Sequence, residues 1–170
     1  KAASLSEFIG RQMSRWYLRT DAQNASAVRV VNDTVEKQLR RWGVPIQKIE
    51  NISSFYLDRE VLSDAHKPPV AYDVSFCGRL VANKGLSELI DAIGTLQTAR
   101  LLVIGDGPER AKMEKKVKSM GIENRVTFLG WLPTQEAVSG AIQTARIFVM
   151  NSKSEGGPRV ALESMACGMP

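Results

Sequence analysis

The stretch VSFCGRLVANKGLSELIDAIGTLQTARLLVIGDGPERAKMEKKVKSMGIENRVTFLG, residues 74–130, alternates three apolar runs with two segments of helical period. VSFCGRLV (74–81), LLVIG (101–105) and RVTFLG (125–130) read as strands, and LSELIDAIGTL (86–96) and PERAKMEKKVKSMG (108–121) as helices. The strands are apolar without period two, as expected when helices cover both faces of a parallel sheet. Working outward, TQEAVSGAIQ (134–143) predicts a helix and IFVMN (147–151) a strand. A last helix runs from about Pro158 to Cys167 and stops at Gly168. Four β-α units in a row predict an α/β domain with a doubly wound, Rossmann-like parallel sheet.

The other side of this block reads differently. Residues 4–20 predict a helix capped by Ser4 or Ser6, with Ile9, Met13, Trp16 and Tyr17 near helical spacing and Arg11, Arg15 and Arg19 in one basic stripe. SAVRVVN (26–32) and KIENIS (48–53) read as short strands around a helical TVEKQLRRWG closed by Gly43. The apolar period then disappears from Phe55 to Pro69, and His66-Lys67-Pro68-Pro69 reads as a linker. Residues 1–67 are expected to be the end of one α/β domain plus that linker, and 68–170 most of a second domain. The chain is thus expected to be an internal piece of a larger two-domain protein.

Composition narrows the function classes. Of 170 residues, 44% are hydrophobic and 24% charged, an ordinary globular balance. No apolar run approaches the ~18 residues of a membrane-spanning helix. Two cysteines, Cys77 and Cys167, make no disulfide framework, so a reducing, cytoplasmic compartment is expected. A single histidine and no CxxC pair argue against structural zinc. The net charge is +5, of which residues 1–20 supply +3 through Lys1, Arg11, Arg15 and Arg19 against Glu7. The basic excess is local, so nucleic acid is not an expected partner.

In an open parallel sheet, ligands bind at the carboxyl ends of the strands. The first such end carries Gly78-Arg79, followed by Lys84-Gly85. Arginine supplies a planar fork and lysine a mobile point charge, a pair suited to a diphosphate. The alternative is two solvated cations in a loop. The second end, Gly105-Asp106-Gly107-Pro108, has half of a G-x-G-x-x-G fingerprint, with Arg110 where the third glycine belongs. A plain turn with Pro108 in the first helical turn explains it. At the third end, Gly130-Trp131-Leu132-Pro133 offers an apolar rim for a base, although Trp131 is expected to pack on the domain's own surface. The fourth is SKSEGGPRVALE, residues 152–163. Its glycines free the backbone ahead of a helix start whose open N–H groups suit oxygen-rich ligands. Glu155 and Glu163 can each accept hydrogen bonds from sugar hydroxyls; the alternatives are a solvated loop acid and a helical ion pair of Glu163 with Arg159.

In this order, Gly78-Arg79 with Lys84-Gly85, Gly105-Asp106-Gly107-Pro108, the VTFLG strand and Glu155-x7-Glu163-Ser-Met-Ala-Cys-Gly-Met-Pro resemble the retaining glycosyltransferases of GT-B fold, family 4 type. The resemblance runs from about Ala25 to Pro170. It implies a glycosyltransferase that moves a sugar from a nucleotide-sugar, UDP- or GDP-linked, to a carbohydrate or lipid-linked acceptor with retention of configuration. Arg79 and Lys84 would hold the diphosphate and stabilise the leaving nucleoside diphosphate without metal. Glu163 would bind ribose hydroxyls, Glu155 the transferred sugar, Gly156 and Gly157 the sugar or its phosphate through backbone N–H groups, and Leu132 the base. Gly78 bends the strand end that carries Arg79. No further cofactor is implied.

The sequence departs from that pattern in places. Gly157 stands where an aromatic is usual and Pro158 where a glycine is usual, and Ile52-Ser53-Ser54-Phe55-Tyr56-Leu57-Asp58 replaces the usual hinge. The acceptor domain's catalytic residues are absent, so this chain alone is expected to be inactive. Two alternatives stay open: a non-catalytic relative that binds nucleotide-sugar, and a Rossmann NAD-dependent oxidoreductase. The helix at 1–20, with its arginines beside Trp16 and Tyr17, suits peripheral contact with anionic lipid, the alternative being a surface helix that packs within the first domain.

Overall fold

The computed structural model describes residues 5–52, 68–155 and 158–170. The chain divides into two compact units, Lys1–Phe55 and Tyr56–Pro170.

In the first unit, α1 (Leu5–Asn24) runs four residues further than its apolar period predicts, and is followed by β1 (Val28–Val30), α2 (Asp33–Arg41) and β2 (Ile49–Asn51). β1 and β2 pair in parallel, with Val28 opposite Ile49 and Val30 opposite Asn51. The start of α2 is set by Asn32, whose side chain accepts from the Val35 N–H at 2.9 Å. Asp33 and Glu36 in the first turn and Arg40 and Arg41 in the last complement its dipole. Gly43, at φ +84°, turns the chain out of the helix. Val30, Leu39 and Val44 form the small core, with Ala22, Trp42 and Ile49 packed on it.

The second unit is a run of β-α pairs: β3 (Tyr72–Cys77), α3 (Leu86–Thr95), β4 (Leu101–Ile104), α4 (Arg110–Ser119), β5 (Val126–Gly130), α5 (Gln135–Gln143), β6 (Ala145–Phe148) and α6 (Arg159–Ala166). All four strands are parallel, in the order β5-β4-β3-β6. Alternate residues of each strand serve opposite faces, because the pleat has period two. Val74, Phe76, Leu101 and Val103 pack against Leu86, Ile90 and Ile93 of α3 and Met113 and Val117 of α4. Leu102 and Ile104 pack on the other side against Val138 and Ile142 of α5 and Val160 of α6. The result is the helix-sheet-helix sandwich that the sequence predicts. Arg125 closes the far end of α3, its guanidinium donating to the carbonyls of Ile93, Leu96 and Ala99.

In the second unit, β3 and β6 depart most from the apolar runs. β3 begins at Tyr72 and ends at Cys77, so Gly78 to Val81 lie outside it. Leu80 is apolar because it fills the core, at 1% exposure, from a loop whose backbone bonds to Asp106 and Glu109. β6 begins at Ala145 and ends at Phe148, three residues short of the run. Arg146 on this outer strand hides its start, whereas Asn151 leaves the sheet to bond elsewhere.

The order β5-β4-β3-β6 reverses direction beside β3: the chain winds outward through β4 and β5, then returns to β3's other side as β6. That reversal opens a crevice outside the carboxyl ends of β3 and β6. The two segments with the densest predicted chemistry, 78–85 and 149–163, leave from those ends.

Candidate functional site

The loop after β3 and the loop after β6 are stitched together by a backbone bond and by the side chain of Asn151. Lys153 N–H donates to the Asn83 carbonyl at 2.8 Å, and the Asn151 amide donates to the Gly85 carbonyl at 2.8 Å. Gly85 sits at φ +76°, and a Cβ there would lie 2.5 Å from the Asn151 carbonyl oxygen. Only glycine allows this approach.

The stitching brings Lys84 to Glu155. Their Nζ and Oε1 atoms are 2.5 Å apart, and the side chains are 23% and 22% exposed. The Lys84 ammonium, with a smaller contribution from Ser152, holds the Glu155 carboxyl below its ordinary value of 4.5. A carboxyl depressed in the fold stabilises it above the unfolded value and loses that contribution as pH falls through the folded one. Wild type is therefore expected to melt above Glu155→Gln by a margin that is full above about pH 4.5 and closes under more acid conditions. A margin independent of pH in thermal melts would rule the pair out as the cause.

At the carboxyl end of β3, a cavity of about 570 Å³ is lined by Gly78, Arg79, Leu132 and Glu163, with Trp131 and Arg159 among the other residues of its wall. Four of the sequence-predicted residues thus share one cavity. Lys84 and Glu155 do not line it but face each other. Gly156 and Gly157 lie outside the described residues. Arg79 is exposed and makes no ion pair among the described residues, which leaves its fork available. Glu163 is buried, with its side chain 7% exposed, and receives the Arg159 Nε at 2.8 Å. Pro158 stands just before α6 rather than inside its first turn, at φ −79° and ψ 63°.

The Gly105-Asp106-Gly107 turn has a packing explanation. A Cβ on Gly105 would meet the Gly78 carbonyl oxygen at 2.1 Å, and one on Gly107 the Leu80 carbonyl oxygen at 2.5 Å. These glycines let the loops after β3 and β4 touch. Asp106 accepts from Gly107 N–H at 2.7 Å and from Arg110 at 3.0 Å, which hold its carboxyl below the usual range. Arg110, in the third-glycine position, thus braces the turn. Trp131 is 70% exposed, which corrects the expectation that it packs on its own domain: Leu132 turns into the apolar cluster and leaves the indole at the cavity rim.

Sequence reasoning missed Asn83 and Asn151 as residues that align the two loops. Their partners lie in a distant loop, and only a polar residue at a strand's carboxyl end hinted at them. It also gave Arg159 no role beyond a helical pair. A larger apolar groove of about 860 Å³ lies in the first unit and contains none of the predicted residues.

Residues 58–170 match the family model for glycosyl transferases group 1. The lipopolysaccharide core biosynthesis glycosyltransferases LpsD and LpsE of Rhizobium meliloti are 34% identical over 64% of this chain and 33% identical over 76% of it. The chain spans 31% and 37% of those two relatives, about a third of their length. Among solved structures, the lipopolysaccharide outer core galactosyltransferase WaaB superposes with a TM-score of 0.62 at 25% identity, over 86% of this chain and 42% of that one. Anabaena HepE, solved with UDP and glucose, superposes at 0.73 and 20% identity, over 92% of this chain and 46% of its own, a likeness of fold.

Proposed function

This chain belongs to the glycosyl transferases group 1 family, and from that premise we propose that it carries the donor site of a glycosyltransferase. The observation that carries the reading is the crevice beside β3, where Gly78, Arg79 and Glu163 share one cavity and Lys84 meets Glu155 alongside. The donor is a nucleotide-sugar, UDP- or GDP-linked, and the acceptor a carbohydrate or lipid-linked sugar.

In this reading Arg79 and Lys84 receive the diphosphate. As the glycosidic bond to phosphate breaks, negative charge grows on the leaving oxygen, and two fixed cations there stabilise it more than the ground state. The two cations supply the charge otherwise asked of a divalent metal. Glu163 accepts from ribose hydroxyls, and the base lies along Leu132. Gly156 and Gly157 present N–H groups to the sugar or its phosphate. Glu155, already ionised by Lys84, accepts from the transferred sugar's hydroxyls. Transfer proceeds with retention of configuration, on the cytoplasmic side.

One titration separates the reading from the first of its two rivals, an oxidoreductase. Calorimetry with UDP, GDP, ADP and NAD is expected to find a single preferred nucleoside diphosphate. NAD as the tightest ligand sinks the reading in favour of an oxidoreductase, against which the packing roles of Gly105 and Gly107 already speak. A non-catalytic relative would bind the same nucleotide, and an assay of sugar transfer separates that case.

Peripheral membrane contact through residues 1–20 belongs to the same proposal. No helix among the described residues is long and apolar enough to cross a membrane. Yet Met13, Trp16 and Tyr17 of α1 are 67%, 69% and 62% exposed, and aromatic side chains on a basic helix suit an anionic interface. Vesicles containing phosphatidylserine are expected to retain the chain better than phosphatidylcholine alone. Unchanged binding after removal of residues 1–20 removes the membrane from the proposal.

A further inference from the structure

Among the described residues, the pair of Arg159 and Glu163 is unlike the other Arg-Glu ion pairs spaced four apart on helices. Glu36 and Glu114, partners of Arg40 and Arg110, have side chains 25% and 46% exposed, whereas Glu163 is at 7%. Exposed helical pairs contribute ~0.3–0.5 kcal/mol and orient little. A carboxylate taken out of water needs its partner far more. Among the described residues, no donor other than Arg159 Nε reaches the Glu163 carboxylate. The Cys77 thiol lies close enough for the Glu163 charge to add to the burial that pushes it up to about 12, and burial and the same charge raise Cys167. Both residues of the pair line the cavity.

We propose that Arg159 is a positioning residue for Glu163: it holds one carboxylate oxygen, Oε1, so that Oε2 is presented to the ribose of the donor nucleotide. The geometry is a three-part chain, guanidinium to carboxylate to ribose hydroxyl, in which the first bond is already formed at 2.8 Å. A carboxylate with one oxygen fixed by a charged donor offers its second oxygen in one direction, and a hydroxyl that meets it there forms a charge-assisted bond. Without Arg159 the same carboxylate is free to rotate and buried without a counter-charge. The proposal rests on the ribose role of Glu163 given above, and its test keeps the two apart.

The readout is discrimination between ribose and deoxyribose, which a purely structural role would not move. The better bound of UDP and GDP is titrated against its 2′-deoxy counterpart by calorimetry. Wild type is expected to favour the ribonucleotide about tenfold, the worth of one hydrogen bond to a charged group. Arg159→Leu is expected to cut that ratio to about twofold while the diphosphate is still bound. A wild-type ratio in a folded Arg159→Leu overturns the proposal. If that variant does not fold, Arg159→Lys replaces it: an intermediate ratio is expected, and an unchanged one overturns the proposal. Glu163→Gln tests the underlying reading. If it leaves the tenfold ratio intact, or if wild type has no ratio to lose, the ribose role itself falls. If Glu163→Gln abolishes the ratio and Arg159→Leu does not, the positioning role alone falls.

Discussion

Lys84→Ala lowers nucleoside diphosphate affinity by about 100-fold, equivalent to about 2.7 kcal/mol. The largest part is a charge-assisted contact to phosphate, worth ~1.5–3 kcal/mol. A second part comes from Glu155, which loses the ammonium 2.5 Å away and is left as an unpaired negative charge beside the site for a dianion. The double variant Lys84→Ala/Glu155→Gln is therefore expected to bind several-fold better than Lys84→Ala alone, a non-additivity a double-mutant cycle measures. Calorimetry of the three variants decides this. Less than threefold loss in Lys84→Ala removes the lysine from the phosphate site and leaves the ion pair as a loop clamp.

Gly105→Ala unfolds the second unit at a temperature some 10 °C below wild type. Gly105 sits at φ +119°, and the added Cβ would stand 2.1 Å from the Gly78 carbonyl oxygen. The strained backbone costs of order 1–3 kcal/mol, and the collision is with backbone, which cannot rotate aside. Together these reach roughly 3–5 kcal/mol, and each kcal/mol moves the midpoint ~2–4 °C in a chain of this size. Gly140→Ala is the control: it lies in α5 with nothing within 4 Å of the added methyl, so it should hold or raise the midpoint. Thermal melts followed by circular dichroism compare them. A Gly105→Ala midpoint within 2–3 °C of wild type would mean that the loops after β3 and β4 do not depend on this contact.

The two results bear on how the glycines after β4 are read. From sequence, Gly105-Asp106-Gly107 has the form of a cofactor fingerprint as readily as of a turn. In the fold both glycines face neighbouring backbone, and Arg110 is spent on Asp106 and Glu114. A variant at Gly105 that fails to bind nucleotide thus reports lost structure, whereas Lys84→Ala reports lost charge. Midpoint and affinity measured together tell them apart.

The chain of residues 74–130 determined its own fold class. Apolar runs of five to eight residues set between helical periods are decided by near neighbours, because pleat and helix repeat within a few residues. The helices α3, α4 and α5 fall within two residues of where their periods place them. Charge type was equally legible: Arg79, Lys84, Glu155 and Glu163 stand out as polar residues at strand ends.

Tertiary structure alone decided which of them meet. β6 lies beside β3 rather than β5, and that single choice of neighbour brings Glu155 to Lys84 across 71 residues of chain. It also buries Glu163 while leaving Arg79 exposed. Local sequence cannot encode these outcomes. Strand order is settled by which faces the helices cover and by the crossover geometry of the whole sheet, and burial of one carboxylate depends on packing between elements remote from it in sequence.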